Sequence, residues 1–467
     1  MAKVPLFGIG QQGKSPVVTA KALQNFFIEY RPEGEGQRVV GHGFPGLDLF
    51  AEVGDTKWRG PCIEVPQASL LYGVHRGVFK EINNASVVTD RGSLNTVSGP
   101  IFMAHDGSRV VVVDGTNGYR YDIASTTFVQ ITDINFPANP TSVDWQGGYF
   151  IVGFDDGRFF ISTDGLNWDG LDFASAESGP DRLLRAVALR GEVAMLGDNT
   201  AEFWINSGLA DFPYVKVAGA DQEWGLAARE SVARLGGSIA FLCRNREGQV
   251  LVARLVGHDV EQISTPDLDT VINGFSVVSD ATAHSYLYYG HPMYQINFPS
   301  AGYSFSYDLV SNQWSSRKSY GMTRHRCEYG AQFLGRTILS DAENGNLYLL
   351  NGATYTENGE TIEGEIVGEH LGNELSPFVI DLVRIDMESG VGAVEGQGRL
   401  PQIMLDVSDD GGRQWDQLGF RDFGALGDYK AVPEWDRLGL FERATLKIRI
   451  TDPVKRTIIG CYVNPNR

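Results

Sequence analysis

Cysteine is scarce and scattered: Cys62, Cys243, Cys327 and Cys461 are the only four among 467 residues. No C-x-x-C pair occurs, so neither a structural zinc ribbon nor a disulfide framework is expected, and four buried free thiols are. No apolar run reaches the eighteen or so residues that a membrane-spanning helix needs. Met1 to Gly10 lacks the charged-then-apolar build of a signal peptide, so the expectation is a soluble protein made in the cytoplasm. Basic residues are in deficit, 39 against 58 acidic ones, for a net charge of −19. A surface of that sign repels phosphate backbones and argues against ordinary nucleic-acid binding by counterion release. Long amphipathic helical patterns are nearly absent as well.

Catalytic signatures are missing too. There is no H-E-x-x-H, no G-x-x-x-x-G-K-[ST] and no G-x-S-x-G. Gly8, Gly10 and Gly13 spell G-x-G-x-x-G, but no strand precedes them and no helix follows. Glycoside hydrolysis needs two placed carboxylates, and sialidases add an arginine cluster around the substrate acid. Pairs such as Asp155–Asp156 and Asp409–Asp410 arise readily among so many acids, and no arginine arrangement stands out. The nearest approach to a metal set is His284 with His291, and the run Arg324-His325-Arg326-Cys327. Ordinary strand or loop histidines are the better reading of these, as of His42, His75, His105, His258 and His370. No catalytic, cofactor or metal residue is therefore expected.

What the chain does have is turns. Its 56 glycines suit many short strands. Ser408-Asp409-Asp410-Gly411-Gly412-Arg413-Gln414-Trp415 reads S-x-D-x-G-x-x-W, an Asp-box, and Ser162-Thr163-Asp164-Gly165-Leu166-Asn167-Trp168 is a shortened echo. In such a turn the carboxylate accepts backbone N–H groups, glycine takes positive φ, and the tryptophan covers the hairpin base. Strand–turn–strand units recur with turns near His75, Gly115, Asp155, Asp198, Arg246, Ser300 and Glu343, at intervals of 40 to 54 residues. That is the length of one four-stranded propeller blade. Tyr307-Asp308 followed by Trp314, and Tyr121-Asp122 followed by Phe128, repeat a kelch-like pattern.

The fold expected is all-β: a propeller of about six or seven blades over residues 61–355, with room for short helices near 206–235 and 255–290. Residues 356–467 read as a β-sandwich-like unit, with strands at Ile380–Asp386, Gln402–Val407, Gln417–Phe420, Ala444–Ile450 and Thr457–Val463. Residues 1–60 read as an irregular docking region in which Ala22–Tyr30 forms a short helix or strand. The acidic run Glu357, Glu360, Glu363, Glu365 and Glu369 reads as a solvated edge, or else a negative face toward DNA or a partner. Arg443, Lys447, Arg449, Lys455 and Arg456 form its basic counterpart, a solvent face or a docking patch for an acidic neighbour.

Several ordered segments resemble the packaged-DNA stabilisation proteins, also called tail hub or nozzle proteins, of short-tailed bacteriophages. They are Phe44-Pro45-Gly46-Leu47, Leu196-Gly197 with Glu202-Phe203-Trp204, Gly225 to Ser231, Gln262 to Thr265, and Tyr307-Asp308 with Trp314. The C-terminal series adds Glu388 to Gly392, Pro401-Gln402-Ile403, Ser408 to Trp415, Arg437-Leu438-Gly439 and Thr451 to Lys455. The resemblance implies a structural virion protein with no catalytic residues, metal or cofactor. It further implies a homo-hexameric ring below the portal and adaptor proteins, next to tail needle, fibre or spike proteins. Such a ring retains packaged DNA and touches it weakly and non-specifically during ejection. A sialidase-like tail hydrolase and a carbohydrate-binding propeller are the alternatives.

Overall fold

The computed structural model describes residues 2–4, 6–7, 22–33, 36–176, 181–209, 212–372 and 376–464. Among them lie seven blades, each built on antiparallel strands, and one β-sandwich. Blades 1 to 4 are simple four-stranded meanders at 63–93, 102–130, 140–175 and 183–216. Blade 5 occupies 225–262 and blade 6 occupies 282–316. The helix Pro266–Asn273 and the single 3-10 turn Arg229–Ser231 fall where the longer repeat intervals leave room.

A lone blade cannot bury both faces of its sheet, and the core is accordingly a series of wedges between blades. Val65 and Tyr72 of blade 1 pack with Tyr119 and Tyr121 of blade 2, and Phe150 and Val152 of blade 3 pack with Val111 and Val113 of blade 2. First strands pack side by side around much of the ring, and Cys327–Phe333 of blade 7 returns to Ile63–Val65 of blade 1. The kelch-like pattern has one cause in both places: Tyr307 sits opposite Trp314, and Tyr121 opposite Phe128. The aspartate after each tyrosine accepts turn N–H groups, Val310 on Asp308 and Ser125 on Asp122.

Blade 7 is completed from the other end of the chain. Its strands Cys327–Phe333, Arg336–Asp341 and Leu347–Asn351 gain Gly46–Ala51 as their outer neighbour, with Asn351 opposite Gly46 and Leu350 opposite Leu47. Trp58, Leu71 and Ile82 then pack with Ala51, Phe333, Ile338 and Leu347, sealing blade 7 to blade 1.

Among the described residues of the first sixty, Ala22–Gln24, Phe26–Glu33, Gly36–Gly43 and Gly46–Ala51 are strands, where an irregular region with one short helix or strand at Ala22–Tyr30 was expected. Phe26–Glu33 and Gly36–Gly43 form a hairpin whose second strand pairs with Thr457–Val463. That sheet continues through Phe378–Met387 to Glu434–Phe441. Ala22–Gln24 lies between Gln313–Ser316 of blade 6 and Gly364–Val367 of the sandwich. One ten-stranded sheet therefore runs from blade 6 into the sandwich, through Arg443–Ile450 and Gln402–Ser408 to Asp416–Asp422. Sequence patterning hid this because, apart from that hairpin, these N-terminal strands find their partners more than two hundred residues away. Glu434–Phe441 is a sandwich strand absent from the expected set; its alternation is blurred because only Trp435 is buried.

Closure by Gly46–Ala51 makes a specific stability prediction. Leu47 is buried, whereas Leu49 on the same strand is 48% exposed. Leu47→Ala should destabilise by about 2–5 kcal/mol, and Leu49→Ala by no more than about 0.5 kcal/mol, in urea unfolding followed by tryptophan fluorescence. The reverse order would mean that this strand does not close the ring in this register.

Candidate functional site: the propeller–sandwich junction

The two units meet at a buried polar seam. At its centre is Asn25, fully buried with φ of 56°, a left-handed conformation that asparagine tolerates better than most residues. Its Nδ2 donates to the carbonyls of Lys318 (2.7 Å) and Glu363 (2.8 Å), and its Oδ1 accepts from Lys318 N–H. Its own N–H donates to Ser316 and its carbonyl accepts from Phe44. One side chain thus ties blade 6 to the sandwich.

Beside it lies a charged cluster. His325, Arg317 and Glu357 are all nearly inaccessible. Gln295 Nε2 and the Cys327 N–H lie 2.9 and 3.3 Å from His325 Nδ1, and its Nε2 faces both Glu357 at 3.2 Å and an Arg317 guanidinium nitrogen at 2.9 Å. Burial pushes the Glu357 carboxyl upward, but His325 and Arg317, with Ser319, outweigh it and hold the group at about 2. Burial also lowers His325, with Arg317 acting in the same direction and Glu357 against them. Arg317 places its guanidinium 3.9 Å from the Phe44 ring centroid. Arg456, equally buried, donates to the carbonyls of Ile362 (2.7 Å) and Phe44 (3.4 Å).

Over this seam opens a cavity of about 350 Å³. Phe27, Tyr288, Tyr289 and Tyr355 supply aromatic walls, and Glu29, Arg31, His42, His291, Lys455 and Arg456 the polar ones. His42 Nε2 is 3.0 Å from Glu29, and burial lowers its pKa despite that carboxylate. His291 lies 2.8 Å from Asp308, whose hydrogen bond raises it. Glu29 is the only carboxylate on the described wall, so the paired acids of a glycosidase are not assembled there.

The sequence candidates are distributed as follows. His284 is buried with its Nδ1 facing the Glu328 carbonyl, apart from His291 and its Asp308. Among the described residues no group of three or more His, Cys, Asp or Glu is placed to hold a metal. Gly8, Gly10 and Gly13 lie outside the described residues. All four cysteines are free; Cys62 is partly exposed, where full burial was expected, and the other three are buried. Glu357 is a correction to the solvated acidic run: it is sealed inside. The basic series is corrected too. Lys447 and Arg449 reach the buried Asp406 at 3.4 and 3.0 Å, and Arg449 sits opposite Glu365. The acidic neighbour they meet belongs to their own sandwich. Asn25, Arg317 and the Tyr288–Tyr289 wall went unnoticed in sequence, because only the long-range strand pairing gives them a role.

Both Asp-boxes form hairpin turns. Asp164 Oδ1 accepts from the N–H groups of Leu166 and Asn167, and Asp410 Oδ1 from those of Arg413 and Gln414. Gly165 and Gly411 take φ of 70° and 82°. Trp168 packs into the wedge between blades 2 and 3, and Trp415 lies under Lys447 at 4.2 Å. A hollow near the first box carries Asp169 and Asp172 but no arginine among its described lining, so the sialidase arrangement is not built there.

A family model for bacteriophage P22 Gp10, β-propeller, matches residues 2–355, and a second, P22 Gp10, β-sandwich, matches residues 363–466. The chain belongs to the bacteriophage P22 Gp10 family. It is a structural phage protein, and the resemblance to packaged-DNA stabilisation and tail hub proteins holds across both units. No curated protein matches the chain. Similar solved structures include the WD40 propeller domain of Doa1, at 14% identity over 66% of this chain and 97% of that one, with a TM-score of 0.42. The N-terminal domain of Nup159 shows 9% identity over 68% and 97%, with a TM-score of 0.43. A mitotic checkpoint complex chain shows 14% over 69% and 96%, at 0.41. Scores this low carry no argument, and the fold rests on the strand pairing and the family.

Two tests follow from the seam. Asn25→Ala strips the Lys318 carbonyl and N–H of the partner described for them, leaves the Glu363 carbonyl only a 3.4 Å contact from Gln24, and should cost about 3 kcal/mol or more. Glu357→Gln should cost about 3 kcal/mol at neutral pH by breaking a buried pair. Because Glu357 is depressed from 4.5 to about 2, its contribution is complete above pH 4.5 and is lost as pH falls toward 2. The variant should therefore show a flatter acid limb in stability measured across that window. An acid limb identical to that of the unmodified protein would mean that Glu357 is not ionised by its neighbours.

Proposed function

We propose that the chain works as the tail hub of a short-tailed phage, a homo-hexameric ring that extends the portal channel, retains packaged DNA and passes it during ejection. The observation that carries this reading is the family match over both units. Portal and adaptor proteins lie upstream in this assignment, and tail needle, fibre or spike proteins adjoin the ring. The net charge of −19 suits a channel wall that DNA slides past, because a basic wall would bind phosphates and slow exit.

The sandwich supports self-assembly in physical terms. Asp416–Asp422 ends one of its sheets and Glu434–Phe441 the other, so two open strand edges lie on consecutive segments. On the second, the cross-strand partners Val379 and Leu440 are 55% and 67% exposed. Open apolar edges favour pairing with another chain.

Imaging of purified tails by cryo-EM tests the assignment directly. Six copies around the tail axis below the portal are expected; peripheral fibres or another copy number would overturn it. Leu440→Asp should leave the monomer's melting temperature within about 2 °C, as for a surface change, while impairing ring formation on the portal.

A further inference from the structure

We propose that the junction cavity binds a carboxylate-bearing peptide segment with an adjoining aromatic side chain, supplied by a neighbouring virion protein. The assignment to a virion neighbour rests on the reading above; the carboxylate chemistry does not. Four observations converge on it.

The wall is cationic in an acidic protein. Arg31, Lys455 and Arg456 face the cavity with Glu29 as their single described counter-charge there. Glu29 is shared between Arg31 at 2.9 Å and His42 at 3.0 Å. Lys455 pairs with Glu388 at 2.8 Å, but both ends are substantially exposed. Such a pair is weak and its lysine can be drawn to another carboxylate.

Arg456 is 2% exposed, and its Nε finds no acceptor among the described residues. A buried guanidinium N–H without a partner is costly, and a charged acceptor relieves that cost most fully. Gly43 borders the same cavity, and a Cβ there would stand only 2.8 Å from Arg456 Nε. The missing side chain gives the Arg456 guanidinium room against this edge of the cavity.

The opposite wall is aromatic. Tyr288 and Tyr289 pack at 4.5 Å between centroids, Tyr289 is 78% exposed, and Phe27 meets Tyr288 edge-on at 5.7 Å. Exposed tyrosines cost little entropy to fix and are favoured where a partner's ring docks. At about 350 Å³ the cavity lies at the small end of ligand sites, roughly 300–1,000 Å³. It holds one aromatic residue with its carboxylate and excludes a duplex or a sugar polymer.

Titration of the full chain by NMR with three probes tests this. N-acetylphenylalanine offers a chain-terminal carboxylate, N-acetyl-Glu-Phe-amide a side-chain one, and N-acetylphenylalanine amide neither. At least one acid should bind saturably in the low-millimolar range, at least about tenfold more tightly than the neutral amide; the tighter acid identifies the source of the carboxylate. Lys455→Gln and Tyr289→Ala, both at exposed positions, should each weaken the preferred acid by about threefold or more with an unchanged circular dichroism spectrum. Equal binding of acid and amide, no saturable binding of any probe, or wild-type affinity in both variants would overturn the proposal. Failure of the hexameric ring would leave these affinities as they are, so the two ideas fall separately.

Discussion

Everything in this molecule depends on what the N-terminal strands are hydrogen-bonded to. A propeller whose last blade held only its own three strands would present an open edge and leave the wedge between blades 7 and 1 unsealed. Gly46–Ala51 removes that edge, and Ala51 completes the apolar contact with Trp58 and Phe333. Earlier in the chain, Ala22–Gln24 bridges blade 6 to the sandwich within one sheet. The units are thus joined through backbone hydrogen bonds, which resist relative rotation more than a flexible linker does.

The seam beside that splice is polar because the geometry there leaves backbone groups to satisfy. Where a strand leaves one sheet and enters another, carbonyls at Ser316, Lys318, Ile362 and Glu363 point into the interior. Asn25 and Arg456 supply donors to them. Burying Arg456 and Arg317 side by side demands compensation, and Glu357 with the ring of Phe44 provides part of it for Arg317. Specific joining of the units and a dense set of buried charges are two aspects of one arrangement.

The propeller was legible because blade recurrence is local: each hairpin carries its turn residues and its apolar alternation within a few dozen positions. All seven turns, from His75 to Glu343, lie in blades, and the Asp-box chemistry could be read residue by residue. What escaped was everything non-local. Strands at residues 22–51 look irregular alone because their alternation is interrupted by Pro45 and several glycines. Glu357 looks like one acid in a solvated run, and only pairing of Glu357 with Leu47 takes it inside. The basic face of Lys447 and Arg449 was visible as a periodicity, but its partner Asp406 was not. The junction cavity has walls from four separated stretches of chain, so no window of sequence contains it.

Closure by the earliest strand has a consequence for synthesis. Asn351 and Asp48, which meet on blade 7, are 303 residues apart. At about 5–20 residues per second on the ribosome, the strand Gly46–Ala51 emerges tens of seconds or so before its partner exists. Through that interval it is an unpaired edge, and so is the hairpin that awaits Thr457–Val463. Blades 1 to 6 can stack as they appear, but the circle cannot close until Leu347–Asn351 has been made. The earliest moment of closure is therefore set by topology: the length of the intervening chain divided by the rate at which ribosomes move.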